Sequence, residues 1–283
     1  IVVSGSLAAG CRLGDRTSVP EGSPSAVFCA KYDGEGTLLW AKTTTGSLGG
    51  SGHGIATDGE DNIFIGGSLS GSGNLFGSEA KPEKTSAFIC KLDRSGDLIW
   101  HHISKGSPTA VYHEITCDTT GRAWAVGMFK GTVSIDSTTY TSSNDKDNDG
   151  MIVCFDTKGG VRWSKNMSGP ATDYCLGVAV DDHGTAFVCG DFHGETTLAG
   201  KRLSSLGSGD IFLAAFDLEG NLDWIRQAGG AGNDSAYPIA FRAPDQLLIG
   251  GSISAPATIG NRELKQSAGA DLYGAKWRIR SSK

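Results

Sequence analysis

The sequence lacks most of the short motifs that mark catalytic and cofactor sites. It has no Walker loop, no Gly-x-Ser-x-Gly elbow, no His-Glu-x-x-His motif and no Cys/His spacing suited to zinc. No apolar run approaches the roughly 20 residues of a membrane-spanning helix. The formal net charge is −6, without a long basic run that would follow a nucleic-acid backbone. We therefore expect no nucleic-acid partner, no membrane span, no cofactor apart from the calcium discussed below, and no enzymatic activity.

Proline is scarce in this chain, and so are segments with helical periodicity. The chain has 8 prolines against 42 glycines in 283 residues, a balance typical of a folded, turn-rich protein. Hydrophobic residues make up 39% of the chain, which is enough to build a core. No segment of useful length repeats its apolar residues at helical spacing, so we expect an all-β fold.

Cysteine pairing cannot be deduced from the sequence, because the cysteines show no spacing such as CxxC and their count of 7 is odd. Most of the cysteines lie inside strand-like runs, where a thiol packs as a small hydrophobic group. We expect small buried thiols, while one or two disulfides stay an alternative and the redox compartment stays open. The cysteines are Cys11, Cys29, Cys90, Cys117, Cys154, Cys175 and Cys189.

One motif, Asp-x-x-Gly-x-x-x-Trp, organises the chain. Its copies occupy residues 33–40, 93–100, 156–163 and 217–224, so that the tryptophans recur about every 60 residues. The Asp side chain accepts hydrogen bonds from amides ahead of it, and the Gly supplies the positive φ that ends a tight turn. Because an apolar strand-like run lies on each side, every copy is predicted to be a β-hairpin.

The same period repeats four strand types, which we name A to D in chain order. Strand D carries the tryptophan, and strand B is nearly continuous in apolar residues, as expected for a strand covered on both faces. A glycine ends each copy of strand B, which indicates close approach of another backbone. These glycines are Gly5, Gly67, Gly127, Gly190 and Gly251. Strand A is predicted at 54–58, 114–118, 177–181 and 238–241. Strand B is predicted at 1–6, 62–67, 123–127, 186–190 and 247–251. Strand C is predicted at 26–32, 87–92, 151–155, 211–216 and 272–277.

Four strands in a period near 60 residues predict a β-propeller of about five four-stranded blades. The period exceeds the roughly 40 to 45 residues of a WD40 blade because the connection between strands B and C is long. The tryptophans are predicted to pack between blades. We expect a single domain over residues 1–283, with repeat units at 1–48, 49–108, 109–171, 172–232 and 233–283.

The terminal repeats are incomplete. The first copy has no strand A, and the last, at residues 278–283, has no strand D. Trp277 falls on strand C there, and Arg278 replaces the turn Asp. Open sheet edges promote unwanted pairing. We therefore expect this chain to be a segment of a larger protein, with flanking residues or other protein chains completing a ring of five or more blades.

The repeat also resembles a known family. The series Ala-Phe-x-x-Lys-Leu-Asp-x-x-Gly-x-x-x-Trp, followed by apolar-Ala-x-Asp and apolar-Gly-x-apolar-x-Gly, is similar to the bacterial SBBP β-propeller repeat over nearly the whole chain. The acidic pair that this family carries before strand A is only partly kept. The resemblance implies a repeat module of a large surface or secreted protein, and hence an extracellular or cell-surface location.

A calcium loop is one candidate site. Asp145, Asp147 and Asp149 alternate ahead of Gly150, like the first half of a calcium-binding loop. The second half does not match, since the acidic position at the end of such a loop would be Asp156, beyond strand C. A solvated acidic loop is the alternative interpretation.

The loops that enter strand A form a second candidate site, for a small ligand or a glycan. In a propeller these loops lie near the central channel, and polar and aromatic side chains gathered there suit ligand binding. The alternative is an ordinary polar channel mouth, with the rings packed against neighbouring blades. The candidate residues are His53, His113, Asp173, Tyr174, Asp234 and Tyr237.

Three functions follow, in order of preference. The first is a non-enzymatic scaffold or protein-interaction module of a larger extracellular or surface assembly. The second is a lectin-like propeller that uses the channel-mouth loops. The third is a propeller glycosidase, which needs two carboxyl groups in one pocket. Sequons at Asn166 and Asn233 permit glycosylation without arguing for it.

Overall fold

The computed structural model describes residues 1–15, 17–265 and 269–279. These residues form strands and turns and contain no helix, which confirms the all-β prediction. In the described part of the chain, accordingly, no helix is long and apolar enough to cross a membrane.

The strands follow the repeat order. The first repeat contains β1 (Val2–Leu7), β2 (Arg12–Leu13), β3 (Thr17–Ser18), β4 (Ala26–Tyr32), β5 (Leu38–Thr43) and β6 (Thr45–Gly46). The second contains β7 (Gly49–Thr57), β8 (Ile63–Ser70), β9 (Gly73–Leu75), β10 (Ser78–Ala80), β11 (Ser86–Leu92) and β12 (Leu98–Ile103). The third contains β13 (Thr109–Cys117), β14 (Ala123–Lys130), β15 (Thr132–Ile135), β16 (Thr138–Thr141), β17 (Asp149–Phe155) and β18 (Val161–Ser168).

The remaining repeats continue this order. The fourth contains β19 (Asp173–Val180), β20 (Ala186–Phe192), β21 (Glu195–Leu198), β22 (Lys201–Ser204), β23 (Asp210–Phe216) and β24 (Leu222–Gly230). The fifth contains β25 (Ser235–Arg242), β26 (Gln246–Ser254), β27 (Ala257–Ile259), β28 (Arg262–Leu264) and β29 (Ala270–Arg278).

The chain divides into two units. The first comprises Ile1–Ala125, Thr132–Tyr140 and Phe155–Val161. Its four-stranded antiparallel sheet, β7-β8-β11-β12, holds strands A to D of the second repeat in sequence order. A three-stranded sheet, β1-β4-β5, holds strands B, C and D of the first repeat. Strand β8, strand B of the second repeat, is buried from Ile63 to Gly67, as predicted for a strand covered on both faces.

The second unit comprises Val126–Gly131, Thr141–Cys154 and Arg162–Lys283. Strands β19-β20-β23-β24 are strands A to D of the fourth repeat, and β27 and β28 extend their sheet to six strands. Strands A, B and C of the fifth repeat form the sheet β25-β26-β29. Strands β14, β16, β17 and β18 contribute residues to both units.

The turn chemistry is confirmed in every copy of the hairpin. In the first, Asp33 Oδ1 accepts hydrogen bonds from the amides of Glu35 at 2.9 Å and Thr37 at 2.8 Å. The same carboxylate contacts recur at the other three motif aspartates. The motif glycines have positive φ, from 81° at Gly220 to 87° at Gly159.

The tryptophans pack between successive hairpins, as predicted. The indole of Trp100 lies over Gly159 of the next hairpin and donates a 3.2 Å hydrogen bond to the carbonyl of Thr157. In the second unit, Trp163 lies over Gly220 and donates to Leu218 at 3.0 Å. The turn glycine therefore has a second purpose that the sequence analysis missed, because a side chain there would collide with the preceding repeat's indole.

The long B–C connections fold into small hairpins, which the sequence analysis did not predict. Strand β9 pairs with β6, which directly follows strand D of the preceding repeat. In the second unit, β21 pairs with β18 and β27 pairs with β24 in the same way. The hairpins β21-β22 and β27-β28 thus extend the sheet of the repeat before them, whereas β9-β10 forms a separate sheet with β6, the short strand after strand D of the first repeat.

In the described residues β1 and β29 are the first and last strands, and the incomplete terminal repeats stay a prediction. Residues 280–283, which were part of the predicted break, lie outside the described residues. The blade number, the closure of a ring and the single-domain organisation stay predictions. Burial of the thiols is confirmed for Cys29, Cys90, Cys154, Cys175 and Cys189, whereas Cys11 is exposed and Cys117 is half-buried.

Candidate functional site

Two of the predicted channel-mouth residues, His53 and Tyr237, lie at β-bulges in strand A. The register of β7 against β8 shifts between Gly52 and Gly54, so His53 is the extra residue. A shift also falls at Leu176 in β19, and another spans Tyr237 in β25. A bulge redirects a side chain and is common beside functional sites. The equivalent repeat positions therefore share a backbone irregularity.

The bulge also explains the glycine that ends strand B. A Cβ atom on Gly67 would overlap the carbonyl oxygen of Ser51, and one on Gly190 would overlap that of Tyr174. Both carbonyls lie on strand A next to the bulge. The glycine predicted to mark close backbone approach thus permits the bulge on the neighbouring strand.

His53 and His113 come together in the first unit. Their ring centroids are 6.2 Å apart in an edge-on arrangement. His53 is exposed and His113 is half-buried. Burial lowers the pKa of His113 to about 4, and the neighbouring His53 lowers it further; burial also lowers the pKa of His53. Both rings are therefore neutral at pH 7 and suit stacking or hydrogen bonding to an uncharged ligand.

The predicted aspartates of strand A are buried rather than presented to solvent. Asp173 is 0% exposed, and its Oδ2 accepts a 2.6 Å hydrogen bond from Thr196. Its amide donates to the carbonyl of Asn148 at 2.8 Å, and the Tyr174 hydroxyl accepts from the Asn148 amide at 2.7 Å. These contacts fasten strand A of the fourth repeat to the residue that precedes strand C of the third.

Asp173 interacts with a second buried carboxyl group, Asp149. Asp149 is 1% exposed and accepts a 2.5 Å hydrogen bond from the Ser168 hydroxyl. Burial, together with a smaller contribution from the charge of Asp149, raises the pKa of Asp173 to about 7, against the hydrogen bond from Thr196. Burial likewise raises the pKa of Asp149 to about 6.

An equivalent pair, Asp210 and Asp234, recurs one repeat later. Both are 0% exposed. Asp234 accepts hydrogen bonds from the amides of Gly230 at 2.8 Å and Ser254 at 2.5 Å, while Asp210 accepts from the Gln227 amide at 2.6 Å. Burial raises the pKa of Asp210, and Asp234 adds to the rise. A sequence comparison of the repeats would reveal both pairs, since each joins the first residue of strand C to the start of the next strand A.

The three calcium candidates have different environments. Asp145 is exposed, whereas Asp147 is half-buried and accepts from Thr172 at 3.3 Å. Asp149 belongs to the buried pair. Among the described residues, no group of three or more His, Cys, Asp and Glu side chains is arranged to hold a metal ion. Calcium binding by this loop stays a prediction.

In the described residues, the sheet β25-β26-β29 has β29 as an edge strand, close to the break in the repeat that the sequence predicted at Trp277 and Arg278. In the described part of the chain, β29 has β26 as its one sheet neighbour. Four large hydrophobic residues are exposed on this sheet and the adjoining hairpin: Tyr237 by 48%, Leu248 by 41%, Leu264 by 37% and Leu272 by 91%.

A groove of about 670 Å³ runs between β28 and β29. Its walls include Leu264, Tyr273 and Trp277 together with the cationic side chains of Arg262 and Lys276. Arg278 also lines it and forms a 3.4 Å ion pair with Asp245. This volume lies within the range of protein ligand sites, about 300 to 1,000 Å³.

Comparison with known proteins gives one informative match. No family model matches the chain. Over 83 residues, or 26% of the chain, the sequence is 31% identical to the uncharacterized WD repeat-containing protein L264 of Acanthamoeba polyphaga mimivirus. The chain spans only 6% of the length of that relative. WD repeats build four-stranded propeller blades. The similarity, together with the all-β repeats, thus supports a β-propeller type of repeat protein.

Proposed function

We propose that this chain is a non-enzymatic β-propeller module that binds other proteins within a larger extracellular or surface assembly. The observation that carries this proposal is the set of large hydrophobic residues that are exposed on β25, β26 and β28, namely Tyr237, Leu248 and Leu264. Exposed apolar patches on soluble proteins commonly mark interaction sites. The resemblance to SBBP repeats and the similarity to a WD-repeat protein both support a repeat scaffold of about five blades.

The buried aspartate pairs support the non-enzymatic part of the proposal. A glycosidase needs two carboxyl groups that reach the same glycosidic bond. The carboxyl groups of Asp149, Asp173, Asp210 and Asp234 are at most 1% exposed and are bound to hydroxyl or amide groups of neighbouring strands. They fasten successive repeats together and give no substrate access.

A lectin-like function is the second candidate, and the edge-on contact of His53 with His113 favours it. An exposed neutral ring next to a second ring suits the apolar face and hydroxyl groups of a sugar. Asp173 and Asp234 would then act behind the site, as supports for the strands that carry it.

Two measurements separate these functions. The tagged protein is purified from its native source with a reversible cross-linker, and partners are identified with their cross-linked sites. The interaction module predicts a stoichiometric protein partner whose cross-links map to β25–β29. In parallel, a glycan array is screened with the wild-type chain and with the variant His53→Ala. No protein partner, combined with a glycan signal that His53→Ala abolishes, would refute the interaction module and establish the lectin.

A further inference from the structure

The junctions between successive repeats share one backbone hydrogen bond but differ in their side chains. At each junction, an amide near the start of strand A donates to the carbonyl of the residue that precedes strand C of the repeat before it. The pairs are Gly50 and Ser25, Ala110 and Thr85, Asp173 and Asn148, and Asp234 and Gly209, at 2.8 to 2.9 Å. Only the last two junctions also carry a pair of buried carboxyl groups. The junction therefore forms without carboxyl groups, and the pairs serve another purpose.

Asp210, in the junction between the fourth and fifth repeats, has the contacts of a protonated carboxyl group. Its Oδ2 accepts hydrogen bonds from the Gln227 side-chain amide at 2.6 Å and from the Leu206 backbone amide at 3.1 Å. Its Oδ1 is buried and, in the described part of the chain, has no partner. Buried polar atoms are rarely left unpaired, and a protonated carboxyl group donates through one of its oxygens. Oδ2 thus fits the carbonyl oxygen and Oδ1 the hydroxyl.

Asp234 has the complementary contacts. Its Oδ2 accepts from the Gly230 amide at 2.8 Å, and its Oδ1 accepts from the Ser254 amide at 2.5 Å. Both oxygens are therefore acceptors, as in a carboxylate. The side chain has no donor of its own to offer, whereas it can accept a further hydrogen bond on Oδ2.

Gly229 brings the two carboxyl groups together. The point at which a Cβ atom of Gly229 would lie is 2.7 Å from Asp210 Oδ1 and 2.8 Å from Asp234 Oδ2, so both oxygens border the space left by the missing side chain. The equivalent residue of the third repeat is Ser168, whose hydroxyl donates to Asp149. Gly229 offers no such hydroxyl, so the hydrogen that the unpaired oxygen requires has to belong to the pair itself.

The groups around the pair do not neutralise it. In the described part of the chain, neither carboxyl group forms an ion pair with a lysine or arginine. His193, next to Gly209, directs its ring nitrogens at the carbonyl of Thr172 and the side chain of Asn233. Asp191 is bound by the Ser235 hydroxyl at 2.8 Å. Burial raises the pKa of Tyr273 on β29, and the charge of Asp234 adds to the rise.

We propose that Asp210 and Asp234 share one proton, which is held on Asp210 and donated to Asp234, and that this proton controls the attachment of the fifth repeat to the fourth. Loss of the proton to solvent leaves two negative charges beside the Gly229 space and Asp210 Oδ1 without a donor, so the junction opens more often. This inference goes beyond the proposed function and holds whether or not a partner binds.

The direction of the pH dependence follows from burial, which raises the pKa of Asp210 above its usual value of 3.8, with a smaller contribution from the charge of Asp234. The folded chain therefore holds the proton at pH values where the unfolded chain has released it. Stability from this proton is fully present below pH 3.8 and is lost as the pH rises through the raised pKa.

Residue-resolved amide hydrogen exchange of the full chain tests the attachment. The reporter is the Asp234 amide, and the internal control is the Ala110 amide, which makes the same junction bond without a carboxyl pair. After correction for the intrinsic exchange rate at each pH, we expect the opening constant at Asp234 to increase severalfold between pH 5 and 8.5. The opening constant at Ala110 is expected to stay level over the same range.

Two variants identify the carboxyl group that carries the proton. Asp210→Asn keeps the carbonyl acceptor and a donor in the place of Oδ1 and cannot ionise, so we expect it to open as the wild type does at pH 5 and to lose the increase at pH 8.5. Asp234→Asn removes an acceptor from the Gly230 or Ser254 amide and is expected to open more at every pH. In carbon-13 NMR spectra of chain labelled at aspartate Cγ, the resonance that Asp210→Asn removes is expected to keep the shift of a protonated group above about pH 5, where an unfolded aspartate is ionised.

Three results would overturn the inference: an Asp210 resonance that is already ionised at pH 5, equal pH dependence of the Asp234 and Ala110 amides, or equal effects of the two variants at every pH. Calcium that protects the Asp234 amide at pH 8.5 in the wild type but not in Asp210→Asn would make the pair a cation site, and would also overturn it. The carboxyl resonances and the wild-type exchange decide the question even if a variant fails to fold.

Discussion

The buried pair Asp149–Asp173 predicts an unusual dependence of stability on pH. Asp173 is 0% exposed, and in the described part of the structure its Oδ1 has no hydrogen-bond partner. Burial raises its pKa from 3.8 to about 7. The folded chain therefore holds a proton that the unfolded chain releases at lower pH. Stability from this group is fully present below pH 3.8 and is lost as the pH rises toward 7.

The size of the effect follows from the shift. Each pKa unit corresponds to 1.36 kcal/mol, so a rise from 3.8 to about 7 removes about 4 kcal/mol of unfolding free energy between these pH values. The substitution Asp173→Asn keeps the shape and cannot ionise. Its carbonyl oxygen can accept from Thr196 as Oδ2 does in the wild type. We expect the stability of the variant relative to the wild type to increase by about 3 kcal/mol between pH 4.5 and pH 8, since the wild type has already lost about 1 kcal/mol at pH 4.5.

The assay is urea unfolding at pH 4.5, 6 and 8, followed by tryptophan fluorescence. Asp182→Asn, on an exposed turn, is the control and is expected to follow the wild type at each pH. Equal pH dependence of Asp173→Asn and the wild type would refute the argument. So would a loss of stability in Asp173→Asn that is the same at all three pH values, since it would show that Asp173 acts as an ionised acceptor.

Two further substitutions test the packing. Lys91→Met is expected to cost about 3 to 5 kcal/mol of unfolding free energy in urea titrations, because it leaves the carboxylate of Asp58 buried without its 2.9 Å ion pair. The control Lys31→Met, at the equivalent position of the first repeat, is expected to cost less than half as much. Gly159→Ala is expected to lower the melting temperature by several degrees, because Gly159 has a φ of 87° and the new methyl group would meet the indole of Trp100. The control Gly34→Ala places a methyl group with nothing within 4 Å and is expected to change the melting temperature little.

The strands and turns were predictable because their signals are local. An aspartate that accepts from amides two and four residues ahead, and a glycine with positive φ, define the hairpin whatever lies around it, and the repetition separates them from chance. The incomplete terminal repeats followed from the same alignment. The completion of a ring by flanking residues or other chains stays a prediction, because it depends on contacts that no local pattern encodes.

The small B–C hairpins were missed although their turns also repeat. Phe76, Asp136, Ala199 and Gly260 all have positive φ at the first turn position, yet only one of them is a glycine. The four turns therefore share a backbone conformation that their different residue types do not indicate. An alignment of the four connections with one another, rather than a search for turn residues, would have revealed it.

The candidate site was predicted only in part. Histidine and tyrosine at the bulge positions were identified by their place in the repeat, but a bulge has no dependable sequence signal apart from the glycine opposite it. The aspartates at 173 and 234 were assigned to a polar channel mouth because polar residues are usually exposed. Their burial depends on hydroxyl and amide donors from other strands, such as Thr196, which lie far away in the sequence.

The B–C hairpins pair with a strand at the end of the preceding repeat, and this pairing affects how such a chain can gain or lose repeats. Loss of one whole repeat by recombination joins the following hairpin to a D strand of the same kind, and insertion of a repeat does the same. Neither event creates an unpaired edge inside the array. Repeat number is therefore free to vary during evolution, while a deletion that is out of phase with the period separates a hairpin from its acceptor strand and is selected against.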